Sequence, residues 1–330
     1  MSLIPQPAAV HGGASWAGID LSASLNPLGP SPVALAAARD AVLWRYPELT
    51  ADSLRTAAAR RHGLSVDNVV PVPGAAAGIW LCALLLLGRS EQAVALGPCF
   101  GEYRRAVGAT GATYVEVSSE PDLRQALAQA PAVCLIANPA NPTAVAWPAE
   151  KVRDVCALSP RTTFLIDEAF VPFALEGTSL LEMNLPLNSV VIRSLTKELG
   201  LPGLRMGYLV AQPACAQALA GLLPAWPLGA AEIAAGVAGM EDIRHLELGA
   251  ELARNHVARV SAAFAGRGLQ PWPSDVNYVL ISAPGAGARL AERGIAVRDC
   301  ASFGLPDHIR VSAPRQDDLA TVLRAIEALP

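Results

Sequence analysis

Lysine is scarce in this chain: of 330 residues only Lys151 and Lys197 are lysine, against 23 arginines. An arginine stays protonated near neutral pH, whereas a lysine can be desolvated and made nucleophilic, as Schiff-base chemistry with a carbonyl requires. Lys197 sits in the run Ser194-Leu195-Thr196-Lys197-Glu198-Leu199-Gly200, and Arg205 follows after a Pro-Gly turn. Two hydroxyls, an amine and a guanidinium therefore gather at one strand-to-loop junction. The set suits holding a phosphate while the amine reacts with a carbonyl, and pyridoxal phosphate (PLP) presents both groups.

The run S-L-T-K followed by P-G-L-R-x-G-Y resembles the lysine segment of PLP enzymes with the aspartate-aminotransferase fold, in the branch that holds histidinol-phosphate aminotransferase and threonine-phosphate decarboxylase. Further segments extend the resemblance over most of the chain. Asn138-Pro139-Ala140-Asn141-Pro142-Thr143 is similar to the family's N-P-x-N-P-T, which implies that the Asn141 amide donates to the phenolic oxygen of PLP. The residues alone equally permit a Pro-locked turn whose Asn side chains bond their own backbone. Asp167 ends an apolar run, where a carboxylate is costly unless paired; the resemblance supplies the ring nitrogen of PLP as the partner. Gly97-Pro98-Cys99-Phe100-Gly101-Glu102-Tyr103 is similar to P-x-[FY]-x-x-Y, so Phe100 is expected to stack on the ring.

Pro73-Gly74-Ala75-Ala76 opens a helix after a strand, where small residues let backbone N–H groups approach a phosphate. Gly74, Ala75 and Ala76 are the expected phosphate cup, together with Ser194, Thr196 and Arg205. Relatives usually place a hydroxyl or amide here, and this chain offers only alanine. Tyr46, in Arg45-Tyr46-Pro47, is expected to reach the cofactor of a neighbouring subunit, which implies a homodimer. His11-Gly12-Gly13 and Asn26-Pro27-Leu28-Gly29 resemble the N-terminal arm of the decarboxylases and mark His11 and Asn26 as substrate contacts. Arg310, in R-V-S, is expected to bind the anionic end of the substrate, with Arg298 assisting. No metal site is expected.

The elements that must position these residues alternate in a β-α rhythm. Apolar runs at 69–72, 93–96, 114–117, 132–137, 163–167, 190–193 and 206–210 predict a mostly parallel, seven-stranded sheet covered on both faces. Ligands in such sheets bind beyond the carboxyl ends of the strands. Helices are predicted over 31–44, with Ser31 as N-cap and Pro32 at its first position, over 50–62, and as one long helix from about 230 to 265. Runs at 276–281, 295–298 and 309–312 with a closing helix over 316–329 predict a smaller α+β C-terminal domain. The expected organisation is an N-terminal arm over 1–30 contributing to the small domain and the site, a large PLP-binding domain over 31–224 and a small domain over 225–330.

Composition excludes several classes. With 52% hydrophobic and 16% charged residues and a net charge of −4, the chain is globular and carries no basic excess for nucleic acid or an anionic membrane surface. Six cysteines without paired spacing argue for a reducing, cytoplasmic home. Met1 to Pro7 lack the basic and apolar regions of a signal peptide. Residues 75–87 are too short a run to span a bilayer, which takes about 20 residues.

The arm and the Asp-Glu-Ala-Phe form at 167–170 resemble the threonine-phosphate decarboxylases. They imply decarboxylation of O-phospho-L-threonine to (R)-1-aminopropan-2-yl phosphate, a cobalamin precursor. Transamination of histidinol phosphate is the alternative, and a non-catalytic binding protein on the same fold is a third, favoured only by the alanine cup.

Overall fold

The structure, a computed structural model, describes residues 11–14, 16–175 and 177–330. The expectation placed on Met1 to Pro7 lies outside the described residues. The strands in chain order are β1 (Ile19–Leu21), β2 (Val69–Val72), β3 (Gln92–Leu96), β4 (Thr113–Val117), β5 (Val133–Ala137), β6 (Thr163–Asp167), β7 (Ser189–Ser194), β8 (Gly207–Ala211), β9 (Gln270–Pro271), β10 (Tyr278–Ser282), β11 (Ile295–Asp299) and β12 (His308–Ser312). Seven of them form a sheet in the order β2-β8-β7-β6-β5-β3-β4, and five form a second in the order β1-β11-β12-β10-β9. This is the α/β class that the rhythm predicts.

Direction decides where the large sheet can hold a ligand. Strands β3 to β7 run parallel. Strand β8 runs antiparallel to both β7 and β2, so β2 points the same way as β7. The carboxyl ends of β2, β3, β5, β6 and β7 and the amino end of β8 consequently meet at one edge. Gly74, Phe100, Asn141, Asp167, Lys197 and Arg205 all follow, end or precede those strands within a few residues. The central strands are buried on both faces, as their unbroken apolar runs require.

Helix Ala75–Leu86 lies so close to the sheet that a Cβ on Gly78 would fall 2.6 Å from Leu209. On the other face, Leu54 of helix Asp52–His62 meets Leu195 and Met206 in one core with Ile233 and Met240 of helix Ala230–Glu241. Helix Pro32–Arg39 begins as predicted, with Ser31 Oγ accepting from Ala34 N at 3.3 Å, but ends five residues early at the Asp40 C-cap.

The single helix expected from 230 to 265 is two, Ala230–Glu241 and Ile243–Ala265. Asp242 is the hinge: it closes the first helix and its carboxylate accepts from His245 N at the start of the second. Ser31 Oγ donates to the other Asp242 oxygen at 2.8 Å, so one carboxylate serves two helix starts. The closing helix is likewise shorter than expected, Leu319–Glu327. In the second sheet β1 adds in parallel to β11, drawing the arm alongside the C-terminal strands. Among the described residues no helix is long and apolar enough to cross a membrane.

Candidate active site

A cavity of about 650 Å³ lies at the edge where those strand ends meet. Its wall includes Lys197, Asp167, Asn141, Phe100, Ser194, Thr196, Arg205, Ala75, Ala76, Arg298, Arg310 and His11. Residues spread from position 11 to 310 thus converge on one space, as their motifs require. Gly74, Asn26 and Tyr46 lie outside the wall.

Lys197 stands in the short helix Leu195–Glu198 that caps β7. Burial, with Arg310 and Arg205 nearby, lowers its ammonium from 10.5 to about 8, against the opposing pull of Asp167. A large fraction of the amine is therefore neutral near pH 8. Its neighbour Glu198 is buried and receives both terminal nitrogens of Arg61, at 3.3 and 2.9 Å. The lysine loop is anchored from behind.

Asp167 is buried, and burial raises its carboxyl above the usual range. Three groups oppose that rise: Tyr103 Oη donates to Oδ2 at 2.8 Å, Ala169 N donates to Oδ1 at 3.1 Å, and the Lys197 charge lies near. The next residue, Glu168, accepts from Ser179 Oγ at 2.7 Å, from Leu180 N at 2.6 Å and from Arg193 at 3.1 Å, all within the protein. Adjacent carboxylates therefore divide the work. Glu168 is satisfied internally, and Asp167 faces the cavity.

The two asparagines of the Pro-rich turn divide in the same way. Asn138 is structural: its amide bonds Trp147 N, Trp147 O and Thr178 O. Asn141 Oδ1 accepts from Arg310 Nη1 at 2.5 Å, and because a guanidinium can only donate, the Asn141 NH₂ is the half turned toward a ligand oxygen. Arg310 also donates to Ser22 O at 2.8 Å, lies 4.9 Å over the Tyr278 ring, and has a buried Nε without a partner among the described residues.

Arg298 stands directly across from Arg310 in the β11–β12 register. Like charges directly opposite repel. Arg298 donates to Asp299 O and to Ser302 Oγ, 2.8 and 2.7 Å. The pair forms a cationic wall suited to a carboxylate or phosphate.

The alanine cup is built from backbone. Gly74 caps helix Ala75–Leu86 at φ 85°, and no side chain caps that helix. A Cβ on Gly74 would lie 2.7 Å from Arg205 Nη2, and one on Gly207 would lie 2.5 Å from Arg193 O and 3.2 Å from Ala75 N. Missing side chains thus let a helix start, a guanidinium and the hydrogen-bonded Ser194 and Thr196 hydroxyls (2.9 Å) close on one point. That donor set fits a phosphate dianion.

One expected contact needs correction. Asn26 is buried and committed: Nδ2 donates to Glu198 O at 2.8 Å, Oδ1 accepts from Leu28 N at 3.0 Å, and its own N–H bonds Lys197 O. It holds the arm against the lysine loop and does not reach the cavity. Tyr46 is 79% exposed and stacked on Trp226 at 4.4 Å, away from this chain's own site.

His11 does face the cavity, and its Nε2 donates to Glu102 Oε1 at 3.0 Å. Glu102, which the motif reading passed over, is buried and also accepts from Trp80 Nε1 at 2.8 Å and Arg105 Nη1 at 2.6 Å. Tyr103 was the second aromatic of P-x-[FY]-x-x-Y, and its link to Asp167 needed the fold to be seen.

The family model for aminotransferase class I and II matches residues 17–329. A histidinol-phosphate aminotransferase from Symbiobacterium thermophilum is 32% identical over 94% of this chain and 90% of its own length. One from Jannaschia sp. is 32% identical over 94% and 91%. Among solved structures, a histidinol-phosphate aminotransferase from Sinorhizobium meliloti in complex with pyridoxal-5'-phosphate superposes with a TM-score of 0.84 at 25% identity, covering 92% of this chain and 89% of that one. The L-threonine-O-3-phosphate decarboxylase from Porphyromonas gingivalis gives 0.78 at 23% identity, covering 89% and 94%.

Proposed function

The chain belongs to the class I and II aminotransferase family, and from that premise we propose that it transfers the amino group of a small phosphorylated substrate of the histidinol-phosphate type. The cofactor is pyridoxal phosphate, which the donor set fits. Arg205, Ser194, Thr196 and the N–H groups of Ala75 and Ala76 would hold its phosphate, Asn141 its phenolic oxygen, Asp167 its ring nitrogen and Phe100 its ring face. When bound, the cofactor supplies an aldehyde for an amine and a ring that accepts an electron pair.

The observation that carries the reading is the pairing, in one cavity, of an amine poised near pH 8 with a buried carboxylate facing inward. Lys197 Nζ, whose ammonium is lowered from 10.5 to about 8, can take up and return a proton beside the substrate carbon. Asp167, in its anionic form, would favour a proton on the ring nitrogen. Arg310 and Arg298 hold the anionic end of the substrate, and burial keeps water from competing for them.

The relatives support amino transfer over decarboxylation, the reverse of the order in which the motifs alone rank them. Asn26, which the resemblance to the decarboxylases marked as a substrate contact, is occupied elsewhere. Decarboxylation of O-phospho-L-threonine remains the second reading because His11 does reach the cavity and Phe170 stands in its wall where many aminotransferases have Tyr. One preparation decides: glutamate should form from histidinol phosphate plus 2-oxoglutarate, with no carbon dioxide from phosphothreonine. Carbon dioxide release without glutamate formation would reverse the assignment.

We further propose a homodimer with shared sites. Leu43, Trp44, Tyr46 and Leu49 are large apolar or aromatic groups left exposed on one segment, with Trp44 at 80%. Such a patch calls for a protein partner. Mixed dimers of a Lys197→Ala chain and a Tyr46→Ala chain should recover up to about a quarter of wild-type activity if Tyr46 serves the partner's site, since random pairing makes half the dimers hybrid and each has one intact site. No recovery after proven subunit exchange would rule out shared sites. The free, mostly buried cysteines suit a reducing compartment, and we place the protein in the cytoplasm.

A further inference from the structure

We propose that Tyr103 is a positioning residue that sets the charge of Asp167 and, through it, the strength with which the ring nitrogen of the cofactor is held. This goes beyond the reaction assigned above and rests on PLP as the cofactor. Tyr103 is 1% exposed, lies in the first turn of helix Glu102–Thr110, and donates to Asp167 Oδ2 at 2.8 Å across 64 residues of sequence. Its ring also meets Phe100 edge to face at 6.1 Å. One turn of chain thus joins the residue that covers the ring face to the residue that braces the carboxylate.

The chemistry follows from what the carboxylate would be without that hydroxyl. Asp167 has two oxygens, and the protein gives each one donor, Ala169 N–H to Oδ1 and Tyr103 O–H to Oδ2. The backbone donor survives every substitution except proline, whereas the phenol hydroxyl is removed by a single change to Phe. A hydroxyl donor stabilises the anion over the neutral acid, and only the anion pairs with a protonated ring nitrogen. Tyr103 itself stays neutral, because burial and the nearby Asp167 charge hold its own ionisation well above the usual range. It can therefore donate at every working pH. Removing its hydroxyl leaves a buried carboxylate with one protein donor, shifts it toward the neutral acid, and weakens the cofactor at the nitrogen alone.

A ring analogue separates this role from simple packing. The 1-deaza form of pyridoxal phosphate carries C–H in place of the ring nitrogen and keeps the aldehyde, phenol and phosphate. In apoprotein titrations followed by fluorescence, Tyr103→Phe should bind PLP about tenfold more weakly than the wild type, in line with one hydrogen bond to a charged group. It should bind the deaza analogue within about twofold of wild type, because there is no nitrogen for Asp167 to hold. Tyr103→His, which keeps an aromatic N–H donor, should recover part of the preference for the nitrogen-containing ring and provides the test if the Phe variant does not fold. Equal losses for both ligands, or no loss for either, would overturn the proposal. Failure of the wild-type apoprotein to bind PLP at all would instead overturn the cofactor assignment on which it rests.

Discussion

Lys197→Ala should leave a folded protein that turns over at least about 10⁴-fold more slowly, since it removes both the attachment point for the cofactor aldehyde and the proton carrier beside the substrate carbon. The fold should survive because the loop is held by other atoms: Asn26 N bonds the Lys197 carbonyl, Asn26 Nδ2 bonds Glu198 O, and Arg61 grips the Glu198 carboxylate. None of these uses the lysine side chain. Alanine also removes a desolvated ammonium, so the apoprotein should melt no lower than wild type. Borohydride reduction of the loaded wild type followed by peptide mapping should place the pyridoxyl label on Lys197. A label on Lys151 would refute the assignment.

The same lysine gives a pH signature. Its pKa is lowered from 10.5 to about 8, so the neutral amine predominates above about pH 8 and falls tenfold per pH unit below it. The rate at which the wild-type apoprotein captures PLP should rise through that value and level off above it. For stability, a depressed lysine pKa means that the folded state disfavours the ammonium. The cost is present below about 8 and is lost as pH rises toward the unfolded value near 10.5.

What could be read from the sequence was whatever chemistry ties to a residue type and whatever strand direction ties to a position. Lys197, Asp167 and Asn141 each follow an apolar strand, and parallel strands carry their ends to the same edge. Their meeting was therefore implied once the β-α rhythm was recognised. The alanine cup was legible for the same reason, since its donors are backbone and its requirement is the lack of side chains at Gly74 and Gly207.

The unread parts share a different cause. Asn26 has an amide that can serve a ligand or brace a loop, and only the position of the Glu198 carbonyl decides which. Helix Ala230–Glu241 breaks at Asp242 while the apolar spacing runs on, because the break is fixed by Ser31, more than 200 residues away. Tyr103 acts through Asp167, and Glu102 meets His11 and Trp80, partners that no local pattern connects to them. Side chains with two possible employments are assigned by tertiary contacts, and the sequence holds those contacts only implicitly.

Asp167→Asn should make the apoprotein more stable and the enzyme about 10³-fold less active. The carboxyl is buried with a raised pKa, burial being the largest cause, so ionising it in the empty protein is unfavourable. Asparagine is nearly isosteric, keeps an oxygen for the Ala169 N–H and can turn its NH₂ toward the Tyr103 oxygen, which then accepts where it had donated. For a carboxylate whose folded pKa lies above its unfolded one, the penalty is absent at low pH, grows as pH rises through the unfolded value near 3.8, and is complete above the folded value. Thermal melts of the two apoproteins should therefore coincide below about pH 4 and separate above it, with Asn higher. Once PLP is bound the order should reverse, because the neutral amide cannot pair with a protonated ring nitrogen and the wild type alone regains the cost of its buried charge. A variant apoprotein that melts lower than wild type at neutral pH would show that Asp167 is held for the fold, and a variant with undiminished turnover would remove it from the chemistry.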